Sequence, residues 1–339
     1  MIYWLTLFSI FILSLASNKR LSGFIIFYWL LIVSGFIAPG ISQDYNNYLN
    51  GYYLSDPSLL PEPFSKLIFK IPANLNLPIS LSFFVFALVS MFLKKKAVQA
   101  LGISFSVFCL MYFSKLFLLH DLTQVRAGVA VACCLMALYY YERENNKKTI
   151  FYIVIGFLFH YSAIMFTAVF LLGRDKPNVL RWLLFVCISL LFTVINLKNV
   201  LFTVFHFFHA PKNYLVYLDA SSVMQVNPFS LLSLINLFVF FAISFSNGIF
   251  SDRISCIAYK LYGLSLISFY MFINFPVLSF RISEFFLVFQ VILLSKFYYI
   301  VKDSQRHIYI VLIALFSALQ LYMTYNVSNI ILPYKFIWG

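Results

Sequence analysis

An arginine and a histidine lie at the polar ends of a paired apolar stretch that runs from His120 to Ala163. Gln124 and Arg126 precede the first apolar run, His160 and Ser162 end the second, and a charged turn separates the two. A helical hairpin would bring both polar ends to the same face of a membrane. An imidazole can transfer protons and a guanidinium can bind phosphate or carboxylate, so these residue types predict a chemical site.

The position of these residues strengthens that prediction. Ionisable side chains within membrane segments are energetically costly and mark functional sites by default. A structural role is the alternative: Arg126 would cap a helix at the membrane interface and extend its charge into the headgroups, while His160 would hydrogen-bond a neighbouring helix.

The composition requires a membrane protein. Hydrophobic residues make up 63% of the 339 residues and charged residues 10%, with a mean hydropathy of +0.91, and a soluble domain could not cover its surface with so few polar groups. We predict an all-α fold, a polytopic transmembrane helical bundle with about 11–13 membrane segments that forms one domain over residues 1–339. The 42 Phe and 23 Tyr are interpreted as lipid-facing and interfacial residues.

The net charge of +13 does not indicate a nucleic-acid partner, because the basic residues form small clusters between apolar runs. Such clusters determine topology, and we predict that all of them are cytoplasmic. They comprise Lys19 and Arg20, Lys94–Lys96, Arg143 with Lys147 and Lys148, Arg253 with Lys260, and Lys302 with Arg306.

The five cysteines all lie within apolar segments, which argues against a disulfide framework and against a thiolate metal site. The sequence also has no phosphate-binding glycine motif of the Walker or Rossmann type. We therefore predict no cofactor and assign no metal-ligating residues.

A long polar segment, residues 39–77, follows the second predicted helix, and the charge pattern places it outside the cytoplasm. It contains Asp44, Tyr48 and Glu62 among further tyrosines and asparagines. Aromatic rings stack on sugar C–H groups while carboxylates bind hydroxyls, so this segment predicts a carbohydrate-binding surface. A solvated loop with interfacial tyrosines is the alternative.

The topology between residues 149 and 227 has two solutions. In the first, the apolar segment 149–173 breaks at His160 into two short re-entrant pieces. In the second, that segment is one helix and residues 199–212 form a short additional crossing. Charge favours the first and segment length favours the second, and both place residues 211–227 in a second extracytoplasmic loop.

A second arginine, Arg281, is predicted at the outer face, where the positive-inside trend disfavours basic residues. Arg126 is the same kind of exception. Two arginines on one face, together with His160, Asp44 and Glu62, predict a pocket for an anionic ligand.

Five short motifs in chain order resemble the EpsG-like branch of the Wzy-type bacterial polysaccharide polymerases. The motifs are Asp44-Tyr45 with Tyr48 and Glu62-Pro63-Phe64, Gln124-x-Arg126 with Ala130, Phe159-His160-x-Ser162-Ala163, the late Arg281, and Leu332-Pro333-Tyr334. The sequence departs from the pattern at Ser42-Gln43, where a glycine is expected before Asp44.

The resemblance implies an enzyme, a membrane glycosyltransferase that polymerises lipid-linked oligosaccharide repeat units into O-antigen or exopolysaccharide. Its implied substrate is an undecaprenyl-diphosphate-linked oligosaccharide, and its implied partners are membrane lipid and a chain-length regulator protein. It also implies a location in the bacterial inner membrane with the active face on the periplasmic side.

This chemistry assigns roles to the candidate residues. Arginines would stabilise the departing diphosphate, and an imidazole or carboxylate would accept the proton of the attacking hydroxyl. The catalytic candidates are His160, Asp44 and Glu62, with the choice of base left open. The substrate-binding candidates are Arg126, Arg281, Gln124, Tyr48, Ser162 and Tyr334.

Three other functions fit the same general features. A lipid-linked oligosaccharide flippase would carry its charges along a central cavity rather than at one face. A membrane acyltransferase also uses an intramembrane histidine. An O-antigen ligase would use the same donor with a different acceptor and is chemically the nearest alternative.

Overall fold

The protein is an all-α membrane protein. The computed structural model describes residues 1–42, 44–53, 61–195, 203, 207, 226–246, 248–327 and 331–338. These residues form helices and no β-strand, with two isolated antiparallel bridges between residues near the two ends of the chain. The prediction of an all-α transmembrane bundle is confirmed.

The α-helices of the described residues are divided between the two halves of the chain. Those of the first half are α1 (Ile2–Leu15), α2 (Lys19–Gly35), α3 (Tyr45–Tyr53), α4 (Pro63–Asn74), α5 (Ile79–Ala100), α6 (Phe105–Tyr112), α7 (Val125–Glu142) and α8 (Asn146–Phe159). Those of the second half are α9 (Ala168–Leu172), α10 (Val179–Leu190), α11 (Leu231–Ser244), α12 (Arg253–Met271), α13 (Pro276–Ile300) and α14 (Arg306–Tyr322). A π-helical segment, Phe113–Thr123, extends α6, and a 3-10 segment, Tyr161–Thr167, follows α8.

Five helical segments in the described part of the chain are long and apolar enough to cross a membrane. They are Phe105–Thr123, Val125–Glu142, Arg253–Met271, Pro276–Ile300 and Asp303–Val327. Four shorter apolar helical segments accompany them, at Ile2–Leu15, Tyr161–Leu172, Val179–Thr193 and Leu231–Ser244. The predicted second loop, residues 211–227, lies almost wholly outside the described residues, as does the optional crossing at 199–212.

The chain forms two compact units, residues 1–168 with 294–339 and residues 169–293. The first unit is built around α6 and its π-helical extension, in which every residue from Phe105 to Thr123 is buried. Phe108, Phe113 and Tyr112 are fully enclosed there. The interpretation of the aromatic residues as lipid-facing is therefore wrong for this core, where they fill the interior between helices.

The hairpin of α7 and α8 is the most extensive helix pairing of the first unit. Its close approach depends on Gly156, because a methyl group at that position would lie 3.1 Å from Cβ of Cys133 and 3.0 Å from Cβ of Ala163. Small residues at such crossings let helix backbones approach in a membrane. At His160 the backbone turns extended, with φ −158° and ψ 128°, so the structure has the break that the first topological solution requires.

Most of the described residues between 39 and 77 belong to the helices α3 and α4. Tyr45, Tyr48 and Tyr52 of α3 are each less than 5% exposed. The ring of Tyr45 stacks on Phe83 and the ring of Tyr48 stacks on Phe69. Buried rings of this kind hold α3 against α4 and α5, whereas Tyr53 is 72% exposed.

The C-terminal segment lies antiparallel to residues 36–42. Bridges join Ile37 to Phe336 and Ser42 to Ile331, and the Tyr334 hydroxyl donates to the Val33 carbonyl at 2.7 Å. This pairing ties the end of the chain to the segment that enters α3.

The second unit contains α10, α11, α12 and most of α13. The ring of Trp182 packs directly against Gly263, where a methyl group would lie 2.6 Å from the indole. A buried amide network joins three helices, in which Gln290 donates to Tyr262 at 2.7 Å and to Asn236 at 3.2 Å.

The tight crossing at Gly156 generates a prediction. We expect Gly156→Ala to lower the thermal unfolding midpoint, because overpacking a close crossing costs roughly 1–3 kcal/mol. Gly23→Ala in α2 is the matched control, since its nearest neighbour would be Phe105 at an ordinary 3.7 Å. Thermal unfolding of the purified variants in detergent measures the difference, and equal midpoints for the two substitutions would contradict this packing.

Candidate active site

Glu62 is fixed by its place between two prolines. Pro63 restricts the preceding residue to extended backbone, and Glu62 has φ −81° and ψ 131° at the N-cap of α4. Its side chain makes no capping hydrogen bond. The sequence Pro61-Glu62-Pro63 therefore starts α4 and leaves the carboxylate available for contacts with other segments.

This carboxylate joins the two residues that the sequence singled out. One oxygen, Oε1, lies 2.7 Å from Nδ1 of His160. The other, Oε2, accepts a charge-assisted hydrogen bond from the Arg126 guanidinium. Arg126, His160 and Glu62, which the sequence predicted to share a pocket, thus form one cluster in which the carboxylate lies between the two basic side chains.

The break after α8 places His160 in this cluster. The His160 amide donates to the Gly156 carbonyl at 2.8 Å and ends the helix. The Ser65 hydroxyl donates to the Phe159 carbonyl at 2.7 Å, and the Tyr161 hydroxyl donates to the Pro61 carbonyl at 3.0 Å. These two contacts fix the broken segment to α4 and to Pro61 before it, on both sides of the imidazole. The first of them satisfies a carbonyl that the helix break would otherwise leave unpaired in a membrane.

Arg126 lies in the first turn of α7, where the helix dipole disfavours a positive charge. The Glu62 carboxylate compensates for that cost. The guanidinium carbon also lies 5.4 Å from the centre of the Tyr48 ring, within the range of a cation–π contact. Burial raises the pKa of Tyr48 to about 12, with the nearby Arg126 acting in the opposite direction, so the phenol stays neutral.

The pKa of Glu62 lies below its usual value. Burial alone raises the pKa of this carboxyl, but the hydrogen bond from His160 and the positive charge of Arg126 outweigh that effect. Glu62 is therefore ionised at neutral pH. An ionised carboxylate only accepts hydrogen bonds, so the Nδ1 nitrogen of His160 carries the hydrogen and Nε2 is left with a lone pair in the neutral ring.

The three side chains differ in their access to the exterior. The Glu62 side chain is 2% exposed, whereas those of Arg126 and His160 are 20% and 22% exposed. The Arg126 Nε and the Ser162 hydroxyl are buried and have no hydrogen-bond partner among the described residues. The carboxylate is thus the most enclosed of the three groups, and the Arg126 guanidinium that binds it keeps an unused donor at Nε.

The other sequence candidates have contacts of their own. Gln124 is the N-cap of α7, two residues before Arg126. Asp44 is partly exposed and accepts a hydrogen bond from Asn47 at 3.4 Å. Tyr334 holds the C-terminal segment through its hydroxyl, and Arg281 is an exposed residue near the start of α13, in the second unit.

The sequence did not indicate that Glu62 is the common partner of Arg126 and His160. The local signal was present, because two flanking prolines immobilise this acid while the other acidic candidate, Asp44, has no such restraint. Among the described residues, no three His, Cys, Asp or Glu side chains form a group that could hold a metal ion.

The fold and the cluster define a class, a polytopic membrane protein with an acid–imidazole–guanidinium site. The model of the EpsG family matches residues 20–336, which is all but 19 residues at the start and three at the end. The chain therefore belongs to the EpsG family, and the resemblance predicted from its motifs is confirmed. Family membership supports a general role as a polysaccharide polymerase. No curated protein and no solved structure was found to match the chain.

The contacts of Glu62 predict a pH-dependent stability. Because the pKa of Glu62 is lower in the folded protein than its usual 4.5, its stabilising effect is complete above about pH 4.5 and is lost as the pH falls through the folded value. We expect Glu62→Gln to cost about 3 kcal/mol at pH 7, since it leaves Arg126 without a counter-charge. The deficit should shrink below pH 4.5.

Thermal unfolding as a function of pH measures this effect. Asp44→Asn is the control and should change stability by less than about 0.5 kcal/mol, as is usual for surface substitutions. A Glu62→Gln variant as stable as the parent protein at pH 7 would show that the cluster contributes no net stabilisation.

Proposed function

We propose that this protein polymerises polyprenyl-diphosphate-linked oligosaccharide repeat units into O-antigen or exopolysaccharide, acting as a membrane glycosyltransferase. The observation that carries the proposal is the contact of one buried carboxylate with a histidine and an arginine, in a chain that belongs to the EpsG family. This cluster combines a proton acceptor with an anion-binding group, and transfer from a glycosyl diphosphate needs both.

Arg126 is the proposed binding group for the diphosphate. When the bond between the anomeric carbon and the diphosphate oxygen breaks, the leaving group takes the electron pair and its negative charge grows. A guanidinium in a site of low dielectric stabilises that charge with charge-assisted hydrogen bonds. Its buried Nε has no partner among the described residues and adds a donor. Arg281 is a separate proposed contact for anionic substrate.

His160 is the proposed general base, with Glu62 as the residue that orients it. The Nδ1 hydrogen is held by the Glu62 carboxylate at 2.7 Å, so Nε2 can accept the proton of the acceptor hydroxyl as its oxygen bonds to the anomeric carbon. The Glu62 side chain is 2% exposed and that of His160 is 22% exposed, so the imidazole is the more accessible proton acceptor. Glu62 and Asp44 stay the alternative bases, and Asp44 is partly exposed.

The remaining candidates fit supporting roles. Ser162 and Gln124 flank the cluster along the chain and would bind the substrate headgroup or sugar. Tyr48 supports the guanidinium from below, and Tyr334 holds the C-terminal segment in place. We place the active face on the periplasmic side of the bacterial inner membrane, with membrane lipid and a chain-length regulator protein as partners.

Glycan extension tests the assigned roles. In membranes supplied with purified lipid-linked repeat units, we expect His160→Gln to reduce extension roughly 10²–10⁴-fold, the loss typical of a general base. Arg126→Lys should also reduce extension, because lysine lacks the bidentate fork. The matched controls are the exposed residues His307 and Arg143, whose substitutions His307→Gln and Arg143→Lys should leave extension unchanged.

Each alternative has a distinct outcome in this assay. Full extension by His160→Gln at normal abundance would exclude the histidine as the base and leave Glu62 and Asp44. Transfer of single units to a different acceptor, without chain growth, would identify a ligase. Movement of the lipid-linked unit across the membrane without new glycosidic bonds would identify a flippase.

Membrane sidedness is a second prediction. Cys187 is exposed and the other four cysteines are buried, so a background without native cysteines is needed. In that background, we expect an impermeant thiol reagent to label Tyr53→Cys in intact cells, whereas Lys147→Cys should be labelled only after permeabilisation. The reverse pattern would place the cluster on the cytoplasmic face, where the proposed polymerisation does not occur.

A further inference from the structure

A second charged pair lies deeper in the first unit. Nζ of Lys94 on α5 lies 2.7 Å from Oδ1 of Asp121 on the π-helical segment. The two side chains are 0% and 1% exposed. Lys94 was predicted to be a cytoplasmic topology residue, and the structure adds that its charge is enclosed by protein. Of its neighbours, Lys96 is exposed and Lys95 is half-buried.

Two further donors complete the network. The Ser90 hydroxyl donates to Oδ1 of Asp121 at 2.6 Å, and the Tyr112 hydroxyl donates to Oδ2 at 2.8 Å. Lys94 also contacts the Ser90 hydroxyl. Both carboxylate oxygens are thus bound by side chains, and the network joins α5 to the end of α6 and to the π-helical segment.

This network lies against the start of α7, the helix that carries Arg126. A methyl group at Gly128 would lie 2.4 Å from the His120 carbonyl oxygen and 3.0 Å from Oδ1 of Asp121. The chain turns between these contacts, with the Gln124 amide donating to the Leu119 carbonyl at 2.7 Å. The position of Asp121 therefore fixes where α7 begins.

The same helix α5 also packs beneath the candidate site. Phe83 packs against Tyr48, whose ring lies under Arg126, and Phe86 packs against Phe159, the residue before His160. An ion pair that fixes α5 to the bend before α7 thus fixes Arg126 relative to Tyr48 and His160.

Stability alone does not account for the pair. Replacing a buried ion pair by apolar side chains of similar size is often neutral or stabilising, whereas removing one partner alone leaves an uncompensated charge. An enclosed pair with all its acceptors used is better suited to setting one geometry than to adding stability.

We propose that Lys94 and Asp121 are positioning residues that hold the start of α7 so that Arg126 meets the Glu62 carboxylate. They touch none of the groups assigned to substrate. The consequence for catalysis rests on the proposed function, but the consequence for the contact between Arg126 and Glu62 does not.

A coupling experiment on thermal stability tests this role without substrate. The apolar double substitution Lys94→Met with Asp121→Leu removes both charges, and Glu62→Gln is then introduced with and without it. If the network positions Arg126, we expect Glu62→Gln to lower the unfolding midpoint by several degrees in the parent protein. In the double variant the same substitution should lower the midpoint by less than about half of that shift. A purely structural network would give the same shift in both backgrounds.

A control network and a milder variant accompany the test. Asn236→Leu with Gln290→Leu removes the buried amide network of the second unit and should leave the effect of Glu62→Gln unchanged. Tyr112→Phe removes a single donor from Asp121 and should make the midpoint shift caused by Glu62→Gln smaller than it is in the parent protein. This comparison tests the role even if the double variant does not fold.

If Glu62→Gln lowers the unfolding midpoint as much in the double variant and in Tyr112→Phe as in the parent protein, the positioning role is overturned. Glycan extension by the double variant is measured in parallel, and we expect it to fall although the protein remains folded. If the parent protein does not extend glycan at all, the polymerase proposal fails, while the coupling between the two networks is still decided by the midpoints.

Discussion

The rest of the candidate site depends on one carboxylate, that of Glu62, which is almost completely enclosed and accepts hydrogen bonds from both Arg126 and His160. Each partner occupies a position that is unfavourable on its own. An arginine in the first turn of a helix opposes the helix dipole, and a helix that breaks at a histidine exposes backbone groups inside a membrane protein. A fixed negative charge between them compensates for the first and orients the second, so three segments that are far apart in the sequence are held in one place.

The first unit contains two charge clusters with different access to the exterior. Lys94 and Asp121 are enclosed with their acceptors filled, while Arg126 and His160 are each about one-fifth exposed. Chemistry on an external substrate needs an accessible group, and support for that group needs a rigid one. This difference in exposure separates the proposed reactive residues from the proposed positioning residues. Their charges and their positions along the chain do not distinguish them.

Hydropathy and charge were sufficient to predict the all-α membrane fold, and the cost of ionisable groups in apolar segments was sufficient to single out Arg126 and His160. The sequence did not show that Glu62 is the shared partner of these two residues. Glu62 lies 64 and 98 residues away from them along the chain, and contacts over such distances follow from packing. The same limit explains two contacts that the sequence did not reveal. Counting positive charges does not reveal that Lys94 points inward to Asp121, and composition does not reveal that Tyr45 and Tyr48 are packed between helices instead of facing sugar.

The arrangement of charges explains why a histidine that is hydrogen-bonded to a carboxylate suits the proposed reaction. When His160 is in the base form that can accept a proton, the ionised Glu62, the Arg126 guanidinium and the imidazole together carry no net charge. When the imidazole accepts the proton of the acceptor hydroxyl, the cluster gains one positive charge at the same moment as the diphosphate leaving group gains a negative one. Because Glu62 already lies 2.7 Å from the imidazole, the new charge on His160 forms beside a preorganised counter-charge. The guanidinium keeps its unpartnered Nε donor for the diphosphate, so proton transfer and leaving-group stabilisation are served by different partners of the same buried acid.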